Sequence, residues 1–152
     1  MAEQQDAALA LLGAARTALG AQSPFPPDRR ARAAAAMART VLEGEIDRWL
    51  AALGRPYGAG PHGPGFRGAS KLIALRALDG TPASRQVTYA WNALSRACHH
   101  HAYDLPASAA EVHHLVLIVE ARVRAGLAPG PAIAEPPTAT AVAVAAGHAA
   151  GR

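Results

Sequence analysis

The chain has 152 residues, the length of one domain, and aromatic residues make up only 5% of it. Its excess of alanine favours helix, because strands prefer branched and aromatic side chains. The formal net charge is +4, and arginine supplies nearly all of the positive charge. Because the guanidinium group binds phosphate well, this charge is compatible with a nucleic-acid partner, and it is equally compatible with a basic surface that is only solvated. A single cysteine excludes an internal disulfide, and no apolar run reaches the roughly 20 residues of a membrane span. The acidic residues at the start of the chain argue against a secretory signal. We therefore expect a soluble, cytoplasmic protein without a membrane partner.

Two helices are predicted in the first third of the chain. The first runs from Glu3 to Leu19, where apolar residues recur at three- and four-residue spacing, and Gly20 can end it. A proline-rich stretch then breaks the chain. Asp28 is the expected N-cap of a second helix that ends near Leu53.

Arginines crowd the first half of this second predicted helix. They are Arg29, Arg30, Arg32 and Arg39. Cations near a helix N-terminus oppose the helix dipole. Their placement therefore indicates either a binding surface or an ordinary solvated face.

A connector rich in glycine and proline covers residues 54–68. It contains a literal G-x-G-x-x-G at 58–63, but no strand precedes it, so the dinucleotide-binding context is absent and a flexible loop is the better interpretation. A short third helix follows, with Ser70 as its expected cap. Thr81 followed by proline starts a fourth helix, which is predicted to run to about Tyr103.

The fifth predicted helix opens with the spacing of a capping box, Ser108 and Glu111, and Gly126 ends it. Beyond it, residues 128–152 combine proline, alanine, threonine and glycine with little charge, which predicts a disordered tail. The expected architecture is therefore all-α: an up-and-down bundle of four to five helices in residues 1–127, followed by that tail.

The fourth helix has two sides of very different composition. On a helical wheel of about 100° per residue, the apolar stripe expected to be buried comprises Val87, Trp91, Leu94, Cys98 and Leu105. The opposite side, which we name the polar face, comprises Arg85, Tyr89, Asn92, Arg96, His99, His100 and Tyr103. The polar face contains no acidic residue, whereas a solvated helix face usually mixes charges of both signs.

Two interpretations of the polar face remain open at this point. Arginine, imidazole, phenol and amide groups bind phosphate, stack on bases or transfer protons near neutral pH, which predicts an anion or nucleic-acid site. Tyrosine and arginine are also enriched at protein interfaces, which predicts a helix–helix or dimer contact instead. The two interpretations do not exclude one another.

The end of the fourth helix also resembles a family signature. HEPN domains carry an arginine and a histidine separated by four to six residues, often followed by a small residue, a tyrosine and an aliphatic residue. Here four residues separate Arg96 from His101, and Ala102, Tyr103 and Leu105 match the positions that follow. The resemblance covers this short segment and the all-helical setting.

The resemblance implies a function and assigns roles to residues. HEPN domains are short helical bundles that commonly dimerise, and active members are metal-independent ribonucleases, frequently toxins or anti-phage effectors. On this resemblance His101 is the general acid/base at the ribose 2′-hydroxyl, and Arg96 stabilises the charge that develops on the phosphate. On a regular helix His100 lies one turn after Arg96 and is the alternative partner.

Neither a metal site nor a nucleophilic cysteine is expected. Adjacent helical residues point about 100° apart, so the three histidines at 99–101 cannot all bind one ion. Cys98 lies on the apolar stripe, where cysteine is normally inert. The sequence therefore predicts a HEPN-like, metal-independent endoribonuclease or RNA-binding protein that acts as a homodimer without a cofactor. The alternative is a non-catalytic, antitoxin-like helical adaptor whose polar face binds a protein partner.

Overall fold

The computed structural model describes residues 2–54, 68–99 and 105–126, and every regular element in these ranges is an α-helix. The five helices are α1 (Ala2–Leu19), α2 (Pro27–Ala52), α3 (Gly68–Leu78), α4 (Pro82–Cys98) and α5 (Ala109–Ala125). The predicted all-helical bundle is thereby confirmed. The predicted tail, 128–152, and nearly all of the predicted connector lie outside the described residues. None of the helices in the described ranges has the length and apolar character that a membrane crossing requires.

The longest helix, α2, is the centre of the bundle, because it packs against each of the other four helices. The helices α1 and α5 also contact each other, while α4 packs against α3 and α5 as well as α2. No contact joins α1 to α4, both of which are described in full. The two helices therefore provide independent surfaces on which substitutions can be compared.

The core consists of apolar side chains that recur at helical spacing. On α2, Leu42, Ile46 and Leu50 are at most 1% exposed, and Leu94 of α4 and Val116 of α5 belong to the same buried cluster. Full burial of one such side chain contributes about 1.5–3 kcal/mol relative to its exposure. The apolar stripe of each helix thus determines which side of the helix faces the bundle.

One buried carboxylate connects α1 with α5. Glu120 of α5 is 6% exposed, and it accepts hydrogen bonds from Arg16 of α1 and, at 2.5 Å, from Arg124 one turn further along α5. Because a buried carboxylate without partners is costly, the two guanidinium groups together compensate for its desolvation. We name these three residues the α1–α5 seam.

Two helix starts predicted from the sequence are confirmed. The Thr81 side chain accepts a hydrogen bond from the Ser84 amide at 3.4 Å, and Pro82 is the first residue of α4. At the start of α5, the Ser108 hydroxyl accepts from the Glu111 amide and the Glu111 carboxylate accepts from the Ser108 amide. This reciprocal pair is a capping box.

Two other predicted caps are wrong. Pro26 occupies the cap position of α2 without a side-chain hydrogen bond, so Asp28 lies in the first turn, where its charge suits the helix dipole. The helix α3 begins at Gly68, which leaves Ser70 inside it. At this first residue of α3, the Gly68 backbone lies so close to the Trp91 ring that a side chain would collide with it.

The helix α4 is shorter than predicted. It ends at Cys98, and His99 already has extended backbone angles, φ −99° and ψ 103°, whereas the sequence pattern carries the helix on to Tyr103. Leu105 consequently does not belong to the buried stripe, and it is 96% exposed. The projection fails here because it holds only while each residue adds the same rotation about the helix axis.

Candidate nucleic-acid interface

The polar face of α4 is open to solvent wherever the structure describes it. Its described members, all of them exposed, are Arg85, Tyr89, Asn92, Arg96 and His99. On the opposite side of the helix the buried residues include Val87, Ala90 and Leu94. The described part of this surface therefore has arginine, imidazole, phenol and amide groups, with no carboxylate among them.

Two members of the predicted buried stripe lie at its edge instead. Trp91 and Cys98 are only partly buried, on the side of α4 that faces α2. The other tryptophan, Trp49, is 5% exposed, as expected for a core residue. The guanidinium of Arg122 lies 3.9 Å from the centroid of the Trp49 ring. Trp49 thus has an arginine packed on it.

The members of the polar face differ in how they are held. Arg85 Nη1 donates to the backbone carbonyl five residues before it at 2.7 Å, and Asn92 Nδ2 donates to the carbonyl four residues before it at 2.9 Å. Arg96 and Tyr89 make no side-chain hydrogen bond with another described residue. The donors of Arg96 are therefore open to a ligand as far as the described chain is concerned.

Four side chains meet where α4 faces α2, and we name them the arginine–tryptophan cluster: Arg39, Glu43, Trp91 and His99. Arg39 Nε donates to Glu43 Oε1 at 2.9 Å, and Trp91 Nε1 donates to the same oxygen at 3.3 Å. The Arg39 guanidinium lies 5.1 Å from the centroid of the Trp91 ring, a cation–π distance. Its Nη1 lies 3.5 Å from Nε2 of His99.

The sequence pattern does not reveal this cluster. Arg39 stands out only as one of the α2 arginines, and the sole signal for Glu43 is its i, i+4 spacing from Arg39. Their contacts with Trp91 and His99 span 48 and 60 residues, respectively. Of the other arginines in this half of α2, Arg30 donates to a backbone carbonyl of the preceding turn and so supports the fold.

Cys98 borders the arginine–tryptophan cluster. Burial raises the pKa of its thiol above the ordinary value, whereas the positive charge of Arg39, a hydrogen bond with the Arg39 side chain and the positive charge of Arg32 lower it, and Glu43 raises it. Burial is the largest of these influences, so the thiolate is disfavoured and the sulfur is not activated for attack. The same influences place both arginines close to the end of α4.

Three of the predicted site residues, His100, His101 and Tyr103, lie outside the described residues. Arg96 is described, and it is exposed near the end of α4. Because His99 is extended, the i, i+4 argument that favoured His100 as the partner of Arg96 does not hold. For the same reason the helical wheel assigns no side to His101.

Within the described parts of the chain, no three histidine, cysteine, aspartate or glutamate side chains form a group that could hold a metal ion. Comparison with known proteins adds no family, since no family model, curated protein or solved structure matches the chain. The resemblance to HEPN domains thus rests on the sequence alone. The function is accordingly argued from the side chains that the fold exposes.

Proposed function

We propose that this protein binds RNA through the polar face of α4 and, in keeping with the HEPN resemblance, cleaves it without a metal ion. The observation that supports the proposal is the exposure of all the described side chains of that face, with no carboxylate among them. Such a surface offers phosphate contacts and base contacts together. A carboxylate on it would repel the phosphate backbone.

The individual side chains suit different parts of an RNA strand. Arg85 and Arg96 are donors for phosphate oxygens. Tyr89 is 57% exposed, which leaves its ring open for stacking on a base. Asn92 donates to its own helix, so its side-chain oxygen remains an acceptor for a base edge. Single-stranded RNA fits best, because its unstacked bases reach aromatic side chains.

The proposed reaction is an internal transfer at a phosphodiester. His101 removes the proton of the ribose 2′-hydroxyl, and the 2′-oxygen attacks the adjacent phosphorus. The bond from phosphorus to the 5′-oxygen breaks as that oxygen takes up a proton from water, and the imidazolium of His101 then returns its proton to the solvent. Arg96 stabilises the negative charge that develops on the phosphate oxygens. The products are a 2′,3′-cyclic phosphate and a 5′-hydroxyl end. A homodimer, which the resemblance implies, would bring two copies of this pair together.

Incubation of the purified protein with single-stranded RNA in EDTA tests this proposal. The wild type is expected to cut and to leave cyclic phosphate ends, and Arg96→Ala and His101→Ala are each expected to lower the rate at least about 100-fold. Arg16→Gln is the control, since it removes an arginine from α1, which does not contact α4. Binding without cleavage would refute the catalytic part, and absence of binding would refute both parts.

The exposed ring of Tyr89 supports a second candidate function, the antitoxin-like adaptor. A large tyrosine beside arginines is characteristic of protein-binding surfaces. On this alternative the wild type binds no RNA, and Tyr89→Ala and Asn92→Ala prevent it from co-purifying with its protein partner. Sedimentation of the wild type and of Tyr89→Ala shows whether the same face also forms a homodimer.

A further inference from the structure

The arginine–tryptophan cluster brings an arginine of α2 to the border of the polar face. Arg39 Nη1 lies 3.5 Å from Nε2 of His99, the last described residue of that face. A nitrogen atom of α2 and one of the residue that follows α4 therefore meet at one point. The Arg39 guanidinium can only donate, so at this contact Nε2 of His99 is the acceptor and Nδ1 carries the imidazole proton. The Nδ1–H group of His99 and the guanidinium N–H groups that Glu43 and His99 leave unused are therefore donors in one place, and they suit an anion that has several acceptor oxygens.

Arg39 is already ordered in the free protein. Glu43 accepts from its Nε and the Trp91 ring packs against its guanidinium. Its side chain is 27% exposed, whereas that of Arg29, near the start of the same helix, is 75% exposed. An ordered arginine loses less side-chain entropy when it binds phosphate than a freely moving one does, so its contact contributes more to affinity.

The charge around this point is mainly positive. Arg32 and Arg39 both act on the Cys98 thiol, and Glu43 is the carboxylate that acts on it. The Oε1 atom of Glu43 already accepts two hydrogen bonds from within the cluster. Among the described residues, cations therefore outnumber carboxylates where α2 meets the end of α4, and the polar face adds further cations beside them.

We propose that Arg39 and His99 form a second phosphate-binding point, through which an RNA strand on the polar face extends from α4 onto α2. This inference rests on the proposed function and adds to it a contact on a second helix, with the phosphodiester of single-stranded RNA as its ligand. Glu43 and Trp91 are positioning residues, which orient Arg39 without touching the RNA.

The affinity of the full chain for a labelled single-stranded RNA, measured over a range of salt concentrations, tests the inference. Arg39→Gln is expected to weaken binding about tenfold and to reduce the slope of log K against log salt by about 0.7, the value for one phosphate contact on a single strand. Arg39→Lys keeps the charge but loses the forked donors of the guanidinium. Its affinity for RNA is therefore expected to lie between those of the wild type and Arg39→Gln. Trp91→Phe removes the hydrogen bond to Glu43 and is expected to weaken binding about twofold with the slope unchanged.

Arg16→Gln is the matched control, because it also removes one arginine from an ion pair with a glutamate, on a helix that does not contact α4. If the wild type binds RNA and Arg39→Gln behaves like Arg16→Gln, the inference is wrong and the proposed function stands. If the wild type binds no RNA, the proposed function is wrong. Should Arg39→Gln fail to fold in a thermal-unfolding control, Arg39→Lys decides, and wild-type affinity in that variant overturns the inference.

Discussion

The α1–α5 seam and the arginine–tryptophan cluster use arginine in opposite ways. In the seam, Arg16 and Arg124 converge on Glu120, so two cations surround one buried carboxylate. In the cluster, the Glu43 side chain is 39% exposed, and Arg39 turns its Nη1 towards the polar face rather than towards a second carboxylate. An arginine whose donors serve a buried carboxylate stabilises the fold, whereas one oriented by a partly exposed carboxylate keeps donors for a ligand.

The largest expected effect comes from removing both cations of the seam. The double substitution Arg16→Ala with Arg124→Ala leaves Glu120 buried without a partner and is expected to lower the free energy of unfolding by about 3 kcal/mol. Urea unfolding measures this loss. Arg29→Ala is the control, because the Arg29 side chain is 75% exposed and its Nε lies 3.9 Å from the carboxylate of Asp28. This substitution is expected to lower the free energy of unfolding by less than about 0.5 kcal/mol. If the folded double variant lost as much RNA affinity as Arg39→Gln does, the contrast between the two regions would disappear.

A smaller effect is expected at Gly68, whose backbone lies against Trp91. A methyl group there meets the indole ring, so Gly68→Ala is expected to lower the free energy of unfolding by about 2 kcal/mol. Displacement of Trp91, visible in its fluorescence, also releases Arg39 and should weaken RNA binding. The matched control is Gly44→Ala on α2, where an added Cβ meets nothing within 4 Å. This control is expected to raise the free energy of unfolding by about 0.5–1 kcal/mol, since alanine has a higher helix propensity than glycine. Equal effects of the two substitutions would contradict the packing argument.

The smallest expected effect is at Glu111, an exposed carboxylate that is paired only within its own helix end. Hydrogen bonds from the Ser108 amide and hydroxyl hold the pKa of Glu111 below its ordinary value of 4.5. Because the folded-state pKa is depressed, the stability that ionised Glu111 contributes is present above pH 4.5 and is lost as the pH falls through that depressed pKa. The difference in free energy of unfolding between the wild type and Glu111→Gln is therefore expected to shrink between pH 7 and acid. A difference that grows in acid would show that the capping box does not act through this charge.

Features made by neighbouring residues were predictable from the sequence. The caps Thr81 and Ser108 were predictable because each side chain accepts a hydrogen bond from an amide only three residues later. The polar face was predictable for a related reason, since a constant rotation per residue places its members on one side of α4. Of these members, Arg96 and Tyr89 are exposed as that rotation requires.

Features that depend on contacts between helices were not predictable. The close approach of the Gly68 backbone to the Trp91 ring is one, since it joins α3 to α4. The pairing of Arg39 with His99 is another, since nothing in the local sequence of either residue indicates the other. The end of α4 at Cys98 was not predictable either, because the spacing in the sequence continues beyond it.

By itself the sequence determined five helical segments, two of their caps and the division of α4 into an apolar and a polar side. These features depend on hydrogen bonds and on a helical repeat that both connect residues three or four positions apart. Only the tertiary structure decided that α2 lies at the centre, that Glu120 is shared by two arginines, and that Arg39 borders the polar face. These features depend on which sides of the helices pack together. That choice is made by the burial of the whole core and not by any short stretch of the chain.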